Sequence, residues 1–416
     1  MATVHPGPGL QPQSLTQVQT PVVTSDDALV TTRNSQCADI VGFGTDGVTI
    51  GRFKANTMHT SKVTEGFSHN LNWRVDIDIR LVANTTHPRR ADIVGFADDG
   101  VWVCANLGNN TFAPAKRISS EFSAKSGGWC REYHPRLMAD IRKTGYADIV
   151  GFANAGVFVA RHVDKESYAQ GAMVVADFGH DQGWRVERHL RFLADMTGDG
   201  FPDIVGFGEN DVIVGLNNGD GTFQQGEPVV DDYCYFSGGW RVKEHPRFLA
   251  DLTGSGRMDI IGFKRDRVFI CLNQGNLRFG PVVEQNIQIP YPCHLWIVTP
   301  LQVGRPADII GFCDDGVYAA ENDGNGTFQP AKRIVNGFGT SSSWQVDKHP
   351  RFVADLNRSG FADIIGFGDA GVFAAFNQGD GTFSAMTMIT SEFSYNKGWK
   401  PNETVRYMAN LYQYNT

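Results

Sequence analysis

Seven times along the chain, an aspartate opens an unbroken apolar run that closes on Gly-Phe. The fullest copy is Asp203-Ile204-Val205-Gly206-Phe207, inside the phrase GWRVERHLRFLADMTGDGFPDIVGFGENDVIVGLNNGDGTF. The other copies open at Asp39, Asp92, Asp148, Asp259, Asp308 and Asp363, and successive copies are 53, 56, 55, 56, 49 and 55 residues apart. A run apolar at every position predicts a strand covered on both faces. A period of this size predicts a ring or solenoid of similar units, so the chain is read as one repeat domain.

The phrase itself predicts four strands. Arg191 to Ala194 is the first, Asp203 to Phe207 the second and Val212 to Leu216 the third. The turn Asn217-Asn218-Gly219-Asp220-Gly221 leads to a fourth strand beginning at Thr222-Phe223. Its residues tolerate positive φ, as a hairpin turn requires. An Asn recurs fourteen residues after the repeat aspartate in five copies (Asn106, Asn217, Asn273, Asn322, Asn377), with a Phe six residues later. Four antiparallel strands make one propeller blade. The chain enters the pattern at a second strand (Asp39) and ends on a first-strand phrase, Arg406-Tyr407-Met408-Ala409. The expected fold is therefore an all-β, seven-bladed propeller closed by pairing its C-terminal strand with the N-terminal blade. The copy at Asp308 is short and degenerate, giving six regular blades and one irregular one. Residues 1–36, rich in Pro, Gln and Thr, read as a tail or strap, and 37–416 as the propeller.

Composition narrows the function. The net charge of −8 argues against nucleic acid and anionic membranes. No apolar stretch is long enough for a membrane span. The start MATVHPGPGLQPQSLTQVQT has no basic or apolar signal segment, which predicts a cytoplasmic protein or one released without a signal peptide. Among the seven cysteines, Cys104 and Cys271 occupy the same strand of different repeats and read as buried free thiols.

Two constellations carry chemistry. Asp195-x-Thr197-x-Asp199-Gly-x-x-Asp203 places hard oxygen donors at alternating positions of a tight loop, the pattern suited to Ca²⁺. Asp355-x-Asn357-x-Ser359-Gly-x-x-Asp363 is a weaker copy. The same spacings also suit a metal-free turn closed by the aspartate side chain. The second constellation lies at the other end of the blade, in the connection to the next one. Trp, a His five residues on and an Arg seven residues on recur as Trp129/His134/Arg136, Trp184/His189/Arg191, Trp240/His245/Arg247 and Trp344/His349/Arg351. Trp73/Arg80 and Trp399/Arg406 keep the ends but put Asp78 and Thr404 in place of His. An aromatic face with directional donors suits a neutral polar ligand. Packing between blades would use the same residue types, and that reading stays open. The Phe upstream of each Trp (Phe67, Phe122, Phe178, Phe236, Phe338, Phe393) reads as core. No G-x-S-x-G, HExxH or P-loop is present.

The phrases ADIVGF, N-x-GDGTF and GWRV-x-x-HPRF-x-AD, with the D-x-T-G-D-G loop, resemble the mushroom lectins of the Psathyrella velutina type. The N-acetylglucosamine-binding lectin of Agrocybe aegerita is similar. The Asp loops also resemble the FG-GAP repeats of integrin α-subunits. The resemblance spans about residues 37 to 416. It implies a non-enzymatic, multivalent fungal lectin with structural Ca²⁺. Its expected partners are glycans ending in N-acetylglucosamine, with sialylated glycans as a second class. The Trp/His/Arg triads are then the expected pockets, with Trp73 and Trp399 weaker and none at the Asp308 copy. The alternative is an integrin-like scaffold for protein partners.

Overall fold

The computed structural model describes residues 38–412 apart from Glu166, so the expected tail lies outside the described residues. Within them, seven four-stranded antiparallel sheets follow one another around a ring. Blade 1 holds Asp39–Phe43, Val48–Lys54 and Thr57–Thr64, and the last strand, Val405–Ala409, completes it. Asp39 pairs with Ala409 and Phe43 with Val405, which is the expected closure. The second strands of blades 2 to 7 are Arg90–Ala97, Asp148–Phe152, Asp203–Phe207, Asp259–Lys264, Asp308–Cys313 and Asp363–Phe367.

The unbroken apolar run has a direct cause. In blade 4, Ile204 packs with Val150 and Phe152 of the blade before. Its neighbours Val205 and Phe207 pack with Leu249 and Ile260 of the blade after. Successive side chains of a strand point to opposite faces, so a strand sandwiched between blades needs apolar residues throughout.

Each repeat aspartate is buried at the lower end of this strand and holds two blades together. Asp203 accepts the amides of Met196 (2.9 Å) and Asn217 (2.8 Å). Met196 in turn offers its carbonyl to the side chain of Asn273 in blade 5, at 2.8 Å. The same clasp recurs through Asn322 on Leu252 and Asn377 on Leu301. Two blades lack the Asn and improvise. In blade 3, His162 donates its amide to Asp148 and makes a ring-nitrogen bond to the Thr85 carbonyl of blade 2. In blade 1, the guanidinium of Arg52 takes both oxygens of Asp39.

One expectation needs correction. The fourth strand of blade 4 is Glu227–Val230, starting later than Thr222. Phe223 instead bridges back to Asn217 and fills the core between blades 3 and 4. Blade 6, the expected irregular blade, has its four strands. Its first strand is Cys293–Thr299, and a disulfide joins Cys293 to the directly opposed Cys313. Cys104 and Cys271 are buried free thiols, as expected.

Asn273 is buried and places both amide hydrogens on carbonyls of two blades. Orphaning buried carbonyls costs about 1–3 kcal/mol. Asn273→Ala should therefore lower the unfolding free energy by about 2 kcal/mol. The exposed Gln274→Ala should change it by less than about 0.5 kcal/mol. Equal effects in denaturant titrations would count against the clasp.

Candidate functional site

The site is built on the connection that leaves the fourth strand of one blade and enters the first strand of the next. It begins with a Phe in the left-handed conformation, φ 59° at Phe67, 55° at Phe122 and 60° at Phe178. Tyr233 takes this place before blade 5, so Phe236, expected in the core, is instead 65% exposed. That left-handed backbone is locally unfavourable. It turns the carbonyl toward the Arg of the triad. Arg136 donates to Phe122 at 2.9 Å, Arg247 to Tyr233 at 2.7 Å and Arg406 to Phe393 at 2.7 Å. Each guanidinium also lies over the closing Phe of the preceding blade, such as Arg247 at 5.5 Å from Phe207. Burial lowers the six arginines to about 10, so they stay charged at neutral pH.

The tryptophans lie flat inside the same junctions. Ring centroids of Trp and the left-handed aromatic are 4.8–5.2 Å apart in all six copies. The indole presses on the Gly of the blade's second strand. A Cβ on Gly206 would lie 2.2 Å from Trp184, which fixes glycine there. The structure therefore seats Trp and Arg in the framework of each junction, where packing between blades would put them. Only an indole edge reaches the surface: Trp129, Trp184, Trp344 and Trp399 are 5–9% exposed.

The histidines face that edge. Nδ1 of His134, His189, His245 and His349 accepts the amide of the residue after the Trp, at 3.0–3.1 Å. This fixes the tautomer, so Nε2 carries the proton. Nε2 points across to the turn after Gly-Phe. It meets Asn154 at 2.9 Å, Asp369 at 3.2 Å and Glu209 at 3.5 Å. Asp78 takes the same backbone amide, from Arg74 at 2.6 Å, and stands near Asp98. Thr404 is turned differently and donates to the Lys400 carbonyl. At that last junction Gly44, Thr45, Asp46, Lys397, Gly398 and Trp399 line an open cavity of about 390 Å³. A second cavity of about 420 Å³ lies around the blade 3 improvisation, lined by Arg142, Tyr146 and His162 among others. It has no counterpart pattern in the other repeats.

Sequence reading missed the turn residues Asp98, Asn154, Glu209 and Asp369. Their signal was available: each stands twenty-five residues after its Trp and two after Gly-Phe.

No family model and no curated relative matches the chain. A solved structure of an Agrocybe aegerita lectin, described as recognising non-reducing terminal N-acetylglucosamine, matches with TM-score 0.87 and 44% identity. The match covers 91% of this chain and 96% of that one. The chain belongs to this lectin family. A Photorhabdus luminescens toxin pore (16% identity, TM-score 0.44) covers 81% of this chain and 16% of its own. The biofilm protein Bap1 of Vibrio cholerae (12%, TM-score 0.29) covers 79% and 60%.

At the lower end of this lectin, the Asp195 loop is closed by its own amides. Asp195 accepts those of Thr197, Gly198 and Gly200, and Asp199 that of Phe201. Asp355 likewise accepts Ser359 and Gly360, and Asn357 accepts Ser359. Among the described residues, no three acidic, His or Cys side chains converge as a metal cluster. The donor chemistry still separates the loops. Residues 140–148 contain Arg142, which pairs with both oxygens of Asp148. Residues 195–203 carry Asp195, Asp199 and Asp203 with no basic residue. Burial, with those two neighbouring acids, pushes Asp203 up to about 7. A hard cation suits the second loop and not the first.

Burial lowers His189 from 6.5 to about 4, with Arg188 and Arg191 adding to the effect. As pH falls from about 6.5 to about 4, the unfolded chain binds a proton that the folded chain does not. The stability contributed by the neutral imidazole is whole above pH 6.5 and shrinks toward pH 4. The stability advantage of the native protein over His189→Asn should thus narrow by about 1–2 kcal/mol between pH 7 and pH 4.5. A pH-independent gap in paired denaturant titrations would contradict the assignment.

Proposed function

We propose that this lectin binds glycans ending in non-reducing N-acetylglucosamine at its blade junctions, several per chain. The observation that carries the reading is the repeated rim. An indole edge, a left-handed turn backbone, an Nε2–H donor and a polar turn residue stand together at successive junctions. The matched Agrocybe aegerita lectin supports the choice of sugar. A pyranose offers the rim an apolar ring face for the indole edge and hydroxyls for the His, Asn, Glu and Asp groups. Such open sites hold a sugar weakly, and repetition raises avidity. The contacts proposed are the Trp edge, the His and the turn residue, with Arg acting from inside as the support. The function is binding without catalysis, since the polar set is repeated around the ring rather than gathered in one constellation. Sialylated glycans are a second ligand class, for which the basic residues Arg185, Arg188 and Arg241 near the rim would supply the charge. No helix among the described residues is long and apolar enough to cross a membrane. The lower loops at Asp195 and Asp355 hold structural Ca²⁺.

Calorimetric titration of N-acetylglucosamine should give several sites per chain. Asn154→Ala, Glu209→Ala and Asp369→Ala should each weaken one site by at least about tenfold, the worth of one hydrogen bond to a charged or polar anchor. Melting should stay within a few degrees of native. Trp344→Ala is a poor probe, because it removes framework. Full binding in the triple variant would reject these contacts, and silence toward the sugar and its oligomers would reject the ligand.

For the metal, millimolar Ca²⁺ should raise the melting temperature by several degrees over chelator, as binding at about 100 times Kd adds about 2.7 kcal/mol. Asp195→Asn should remove most of the gap. Identical melting with Ca²⁺ and chelator would rule the ion out.

A further inference from the structure

One junction differs from its siblings in a way that closes it. The residue directly after Gly-Phe lies over the indole. A Cβ on Gly44 would be 3.1 Å from Trp399, on Gly208 3.7 Å from Trp184 and on Gly368 3.3 Å from Trp344. Ala97 and Ala153 hold this place in blades 2 and 3. Blade 5 has Lys264. Its Nζ stands 4.1 Å from the centroid of Trp240 and donates to the Gly238 carbonyl, on the turn leading into that Trp. Asp232 holds the other side of the indole, accepting its N–H at 2.8 Å. Trp240 is 0% exposed, against 5–9% for Trp129, Trp184, Trp344 and Trp399.

We infer that Lys264 is a built-in plug, filling the place that a sugar would take at the Trp240 junction. An ammonium over an indole face is held by the ring quadrupole, and its bond to a carbonyl fixes it there. A weakly held neutral sugar would have to displace both. The opposing turn position is polar here too, held by the exposed Arg265. Where His134, His189 and His349 face Asn154, Glu209 and Asp369, His245 faces a turn carrying Lys264 and Arg265. The next junction lacks the triad altogether. Ile289 and Trp296 take the framework place over Gly311 that the Trp and the left-handed aromatic take elsewhere, and the residue after Gly-Phe is Cys313, bonded to Cys293. Two adjacent closed junctions leave five open ones, at blades 7, 1, 2, 3 and 4, as one continuous arc. The ring thereby has a binding side and a blind side.

This inference rests on the proposed sugar reading and deepens it. The test is to soak N-acetylglucosamine into crystals of the protein, of Lys264→Gly and of Lys264→Ala, with calorimetry on each. Glycine is the residue of blades 1, 4 and 7 at this place. The native protein should hold sugar at Trp73, Trp129, Trp184, Trp344 and Trp399 and none at Trp240. Both variants should gain a sixth sugar at Trp240, with the molar ratio rising from five to six. Sugar at Trp240 in the native protein overturns the plug. So does sugar at the five open junctions with none gained in either variant. Sugar at no junction of any of the three proteins overturns the sugar reading itself, and the plug with it.

Discussion

A carboxylate buried at the lower end of every second strand is the constraint on which the ring depends. Such a group is costly in an apolar interior unless donors surround it. The chain supplies them from the turn that returns from the first strand, and from the residue fourteen positions on. The first of these sources also offers its carbonyl to the next blade. Satisfying one blade's aspartate thus places the acceptor that the next blade's asparagine needs. Blades 1 and 3 show that the demand is for donors rather than for a particular side chain. Arg52 answers it in one, and Arg142 with the backbone amide of His162 in the other.

The upper end is ordered by a second buried group of opposite sign. A guanidinium at the start of the innermost strand, in every blade but the sixth, fixes the carbonyl of a left-handed aromatic and rests on a Phe of the blade behind. That holds the connection close enough for the tryptophan to lie on a glycine. The rim groups are consequences of this framework. The indole edge, the Nε2–H of the histidine and the turn residue are positioned by packing beneath them, before any ligand arrives. Prearranged groups of this kind lower the ordering cost of binding, which matters most where contacts are few.

The fold was legible because a ring of sheets writes its period into the chain. The apolar run at Asp203, the Asn at 217 and the first-strand phrase at Arg406 carried the blade count and the closure. The site was legible only as a register. Spacing showed that Trp184, His189 and Arg191 travel together, but not which of them face solvent. Arg191 and His189 lie two residues apart at the entry into a strand and both are enclosed, Arg191 reaching the Phe178 carbonyl and His189 the turn at Glu209. Glu209 was missed because it belongs to a turn twenty residues beyond His189. The two meet only because the connection climbs over the blade that Glu209 caps. Tyr233 was missed in favour of Phe236 because the left-handed position is set by backbone conformation, to which residue type gives no strong clue.

A closed ring of equivalent junctions has no front. Five of the seven blades meet a neighbour through the Asn clasp and the other two through substitutes for it, so the fold tolerates changes at the rim that would be costly in the framework. Lys264 lies at that tolerant level. It alters what the junction shows to solvent and leaves the strand pairing of blade 5 intact. In a multivalent binder, gain in avidity depends on how many sites a single target can reach together. Sites opposite one another across a ring serve a flat array of sugars. A run of neighbouring sites serves one branched glycan or a curved surface equally well, since the distance between adjacent junctions is the smallest the fold allows. Breaking the symmetry at two adjacent blades therefore keeps the spacing that favours simultaneous binding, and gives up only the one arc of the rim.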